Sequence, residues 1–90
     1  MSYTTMVEIA NNVSLLHRVA AAAAAEGLQT DPLAWAQEHS WLIASQPGWA
    51  DAWQYAIDTA TDDVNPDTGM RPGVINDQMI LSAVQALLAA

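Results

Sequence analysis

The stretch from Asp31 to Ala60 constrains this chain more than any other. Asp31-Pro32 sets a helix N-cap directly before a proline at the first helical position. Gln46-Pro47-Gly48 then stops the helix and turns the chain. All four tryptophans flank that turn, Trp35 and Trp41 before it, Trp49 and Trp53 after it. On the first arm Trp35, His39, Leu42 and Ile43 recur at the spacing of one helical face, while Trp41 falls on another flank. On the second arm Trp49, Trp53, Ala56, Ile57 and Ala60 form a single buried-type stripe, with Asp51 and Asp58 opposite. The pattern predicts two amphipathic helices folded back on each other, with the poorer flanking segments packed against them.

Residues 1–12 read as a short helix or turn, with Thr5 and Glu8 spaced as a capping box and Met6, Ile9 and Ala10 as a narrow apolar stripe. Asn11-Asn12 interrupts that stripe and can cap the next helix. This second helix is expected from Val13 to Glu26, ended by Gly27 at the C′ position. Its consecutive alanines, Ala20 to Ala25, have high helix propensity and leave a smooth surface that another helix can approach closely. From Asp62 to Gly73 prolines, glycines and aspartates interrupt any periodicity, so an irregular acidic loop is expected there. Asn76 or Asp77 then caps a last helix carrying Ile80, Val84, Leu87 and Leu88 on one face. No strand pattern and no internal repeat occur. The expected fold is all-α: residues 1–90 as one domain, a compact bundle of four main helices plus a short N-terminal one. Its expected core comprises Leu16, Val19, Trp35, Leu42, Ile43, Trp49, Trp53, Ile57, Ile80, Val84 and Leu87.

Charge narrows the choice of partners. Two arginines, no lysine and ten acidic residues give a formal net charge of -8. A chain so poor in cations is not expected to bind a phosphate backbone directly, because it has little with which to displace condensed counterions. An anionic membrane surface repels it for the same reason. Charged residues nonetheless make up only 13% of the chain, so the exposed faces must be built largely from Ala, Ser, Thr, Asn and Gln. Such a surface costs little to desolvate and suits packing into an assembly. The start, Met1 to Thr5, lacks the basic and apolar regions of a signal peptide, and the apolar run from Val19 to Ala25 is too short for a bilayer. The protein is expected to be soluble when made. Without cysteine there is no disulfide framework.

Reactive constellations are scarce. Asp63, Asn65 and Asp67 alternate like the first ligands of a calcium loop, but Thr68 occupies the glycine slot and Val74 stands where a bidentate glutamate belongs. The reading is a solvated acidic turn. His17 and His39 have no partner at metal-ligand spacing, and no serine sits in a nucleophile-elbow context. No metal, cofactor or catalytic residue is expected, and the chain reads as a non-enzyme. Candidate contact residues are Trp41, off the main stripe, and the Pro47-Gly48 corner, because exposed aromatics anchor interfaces.

The order of several elements resembles small uncharacterised helical proteins encoded among the structural (head and tail) genes of tailed phages of actinobacteria. Those elements are Ile9-Ala10-Asn11-Asn12, the run from Arg18 through Ala23 ending near Glu26-Gly27, Gln46-Pro47-Gly48-Trp49, Asn65-Pro66, and Val74-Ile75-Asn76-Asp77 leading into Met79 to Gln85. The resemblance covers most of the chain and brings no active-site residues with it. It implies a virion component, made in the host cytoplasm, at the capsid surface, the head–tail junction or the tail. Such a protein would pack against copies of itself and a larger phage structural protein. The competing reading is an acidic DNA mimic that occupies a host nucleic-acid-binding protein. Net charge favours it, but only Asp62, Asp63 and Asp67 cluster, and a mimic needs rows of carboxylates.

Overall fold

The computed structural model describes residues 3–58 and 75–89. They form six α-helices: α1 (Tyr3–Ala10), α2 (Val13–Ala25), α3 (Pro32–Glu38), α4 (Ser40–Ala44), α5 (Trp49–Asp58) and α6 (Asp77–Ala89). The described residues contain no strand. The acidic loop and its calcium-like pattern of Asp63, Asn65 and Asp67 lie outside the described residues, as does the side chain of Ile57.

Local chemistry sets the helix ends. The Asn12 side chain accepts from the Leu15 amide at 2.9 Å, and the Asp31 carboxylate accepts from Leu33 at 3.1 Å. Asn76 does the same for Met79 at 2.9 Å, so Asn76, not Asp77, caps α6. Helix α2 closes on Gly27, whose φ of 97° lies in the left-handed region. The Leu28 amide reaches back to the Ala23 carbonyl and the Gly27 amide to Ala24, which together satisfy carbonyls the helix end leaves open.

Packing departs from the expected hairpin. The arms on either side of Pro47-Gly48 do not take each other as principal partners. Helix α3 packs on α2, whereas α4 and α5 both pack on α1. The short N-terminal helix is therefore the element that joins the tryptophan-bearing arms. Helical periodicity shows which face of a helix is apolar but not which neighbour covers it, and here the neighbour came from the far end of the sequence.

Two side chains of α1 make that joint. The spacing of Thr5 and Glu8 predicts a capping box, but helix α1 begins at Tyr3 and both residues lie within it. A spacing of three also puts two side chains on the same helical face, and that is the role the spacing has here. The buried Thr5 hydroxyl donates to Gln54 Oε1 at 3.2 Å, and the Trp53 indole Nε1–H donates to Glu8 Oε2 at 2.9 Å. The second bond gives a buried indole the acceptor it needs.

The first arm is also broken in two. The sequence predicts an unbroken helix through Ser45, but the chain pauses for one residue at His39, with φ -101° and ψ 10°. The Trp35 carbonyl accepts both the His39 backbone amide at 3.0 Å and the His39 ring at 2.8 Å. A carbonyl only accepts, so Nδ1 of that ring carries a proton. The imidazole lies over the Trp35 indole with centroids 4.8 Å apart. This local cap ends α3, and α4 then buries Ile43 and Ala44, with Ile43 seven residues after the buried Ala36 of α3. The buried row runs through Ala36 and Ile43, one position on from the row of Trp35 and Leu42, so Leu42, expected in the core, is instead 52% exposed.

Helices α2 and α6 lie side by side. Arg18 bonds Asp77 at 3.0 Å and Gln85 bonds Glu26 at 2.9 Å, two cross-links with the same separation of 59 residues. Equal separation means the two helices run parallel and in register. The alanine run permits this approach: Ala20 and Ala23 are buried with Ile80, Ala83 and Val84 in one cluster, while Ala21, Ala24 and Ala25 face outward. Leu16, Val19, Ile43, Trp49 and Trp53 share the same cluster, with Trp35 and Leu87 half-buried at its edge. Ile9 and Ile75, absent from the expected core, are among its most deeply buried members.

Candidate interaction surface

Helix α4 has five residues and two unlike sides. Ile43 and Ala44 are buried under α1, so Trp41 and Leu42 are directed away from the core and are 44% and 52% exposed. The chain then reaches Pro47 and Gly48, both exposed. Gly48 has φ 86° because the turn needs a left-handed residue immediately before α5. The three expected contact residues are all exposed in the structure, and Leu42 joins them. Its spacing from Trp35 places Leu42 in the core, whereas the buried row of this arm is that of Ala36 and Ile43.

Electrostatically this segment is blank. Between Glu38 and Asp51 no residue carries a formal charge with His39 neutral. Turning inward from the corner, Gln46, Pro47 and Trp49 face Gln78, Met79, Ser82 and Ala83 of α6 across a shallow groove of about 350 Å³. A second groove of about 430 Å³ follows the α2–α6 seam, lined by Arg18, Ala21 and Ala22 against Asp77, Ile80 and Leu81. These pairs repeat the register of 59 residues set by the cross-links, so this groove is the space left where small alanines face larger side chains.

The His39 and Arg18 side chains are engaged in the fold. The His39 ring is held by the Trp35 carbonyl, and Arg18 is held by Asp77. Among the described residues no group of three or more His, Cys, Asp or Glu side chains gathers around a common point, and no helix is long and apolar enough to cross a membrane. The class defined is a small all-α assembly of short helices with one uncharged, aromatic-bearing outer segment. No family model matches the chain, and comparison with curated proteins and with solved structures finds no match.

Proposed function

We propose that the protein is a non-enzymatic virion component of a tailed phage, acting through protein–protein packing at the capsid surface, the head–tail junction or the tail. The observation that carries this reading is the outer side of α4. Trp41 and Leu42 are both exposed, in a segment without formal charge that runs into the exposed Pro47-Gly48 corner. Large apolar side chains in an uncharged setting are inexpensive to desolvate and suit the centre of an interface. The resemblance of the chain's ordered elements to products of phage structural genes supplies the setting. Its partners on this reading are further copies of itself and a larger structural protein.

The test is mass spectrometry of purified virions together with Trp41→Ala/Leu42→Ala particles. The protein should be found in wild-type particles and be depleted from those carrying the double substitution. Its absence from wild-type virions refutes the reading. A pull-down from host lysate that instead recovers a DNA-binding protein with salt-sensitive affinity establishes the DNA-mimic alternative.

A further inference from the structure

Helix α1 is joined to α2 by Asn11 and Asn12 but packs on α4 and α5, more than 25 residues away along the chain. Its principal contacts are supplied by distant parts of the sequence: the Glu8–Trp53 and Thr5–Gln54 hydrogen bonds and the packing on α4 and α5. None of these contacts depends on α1 belonging to the same copy of the chain.

The hinge is a single residue. The Asn11 amide still bonds the Val7 carbonyl at 3.0 Å, so α1 effectively continues through Asn11. Asn12 has φ -78°, already in the helical range, and departs from it only in ψ, which is 110°. Neither proline nor glycine stands at the joint. Rotating ψ of Asn12 into the helical well makes Tyr3 to Ala25 one continuous helix of about 34 Å. The rotation sacrifices the Asn12 cap on Leu15. In return the amides of Val13, Ser14 and Leu15 gain the carbonyls of Ile9, Ala10 and Asn11 as helical partners. The opened chain uncovers apolar surface around Ile43, Trp49 and Trp53, and the segment shaped to cover that surface is known from the closed fold: residues Tyr3–Ala10 of this same sequence.

We propose that α1 exchanges between two copies, each inserting its N-terminal helix between α4 and α5 of the other to form a reciprocal, two-fold dimer. The dimer repeats every closed-form contact of α1 and differs only at the hinge. The inference holds whether or not the protein belongs to a virion.

Two substitutions shift the hinge in opposite directions. Asn12→Ala removes the cap and favours the helical hinge by about fivefold per chain, or about 25-fold in the dimerisation constant. Val13→Pro locks the closed form. Val13 is the first residue of α2 and is 66% exposed, and Asn12 before it already has the extended ψ that proline requires of its predecessor. Within a continuous helix the same proline loses the bond to Ile9 and clashes with its carbonyl, so dimerisation falls by more than about a hundredfold. Sedimentation velocity of the full chain over a concentration series reads both effects. Mixed isotope-labelled and unlabelled Asn12→Ala copies should show intermolecular NOEs between α1 and the Trp53 indole. A monomer at every concentration in both the wild type and Asn12→Ala overturns the proposal. So does a dimer equally populated in Asn12→Ala and Val13→Pro, or one without those intermolecular NOEs.

Discussion

Leu42 and Ile43 are neighbours of nearly equal size on a five-residue helix, and the fold gives them opposite roles. Ile43 is 2% exposed and Leu42 is 52% exposed. Truncating a fully buried isoleucine to alanine costs about 2–5 kcal/mol, from lost transfer energy together with the void left behind. Complete burial of a leucine is worth about 1.5–3 kcal/mol, and Leu42 has only half of that at stake, so Leu42→Ala should cost about 0.75–1.5 kcal/mol at most. In a domain of this size each kcal/mol moves Tm by about 4–8 °C. Ile43→Ala should therefore lower Tm by at least about 8–16 °C, while Leu42→Ala lowers it by about 3–12 °C, the smaller loss of the two at any one conversion factor. Thermal melts and urea titrations followed by tryptophan fluorescence measure both. If Ile43→Ala fails to fold, Ile43→Val, expected to cost about 0.5–1.5 kcal/mol, keeps the comparison available. Equal losses at the two positions, or a larger loss at Leu42, would mean that the inward face of α4 is wrongly placed.

Further expectations concern the turns, the α1 joint and the surface ion pair. An added Cβ meets no atom within 4 Å at Gly27 or Gly48, yet both have strongly positive φ. Gly27→Ala and Gly48→Ala should each cost about 1 kcal/mol through backbone strain alone, and urea midpoints equal to wild type would show that neither turn is left-handed. Trp53→Phe removes the donor to Glu8 and leaves a smaller ring, for a loss of about 1.5–3 kcal/mol; Glu8→Gln keeps an acceptor and should cost less. Reversal of that order in urea titrations excludes the Trp53–Glu8 bond as the link. Arg18→Ala should leave Tm unchanged, because the Asp77 carboxylate it meets is almost wholly in water; a marked, salt-dependent drop in Tm would contradict this.

What could be read from the sequence was local. Asn12, Gly27, Asp31-Pro32, Gly48 and Asn76 act within a few residues of themselves, and each ends or begins a helix as its chemistry requires. The all-α class rests on the same signals. The partners of each helix were not legible. Thr5 and Glu8 satisfy a capping-box spacing and a same-face spacing equally well, and only the position of α5 decides between them. The first arm offers two candidate rows, Trp35 with Leu42 and Ala36 with Ile43; the large side chains favour the first, and the structure buries the second. Ile75 is a related case. It lies just before a helix, outside any periodic stripe, and is nevertheless fully buried. At the candidate surface, Trp41 and the Pro47-Gly48 corner stood out as an off-stripe aromatic and a chain break, whereas the exposure of Leu42 beside Trp41 emerges only with α4 in place.

Helix α1, rather than a direct pairing of the two tryptophan arms, completes this fold. The decisive measurement is urea unfolding of a chain lacking residues 1–10, followed by tryptophan fluorescence. Trp49 and Trp53 should become hydrated in the shortened chain, so that emission shifts to the red before any denaturant is added. The cooperative transition should be lost, or its midpoint should fall steeply. A shortened chain that keeps both the wild-type midpoint and the wild-type emission would contradict this role for α1, and would restore the two arms as a self-sufficient hairpin.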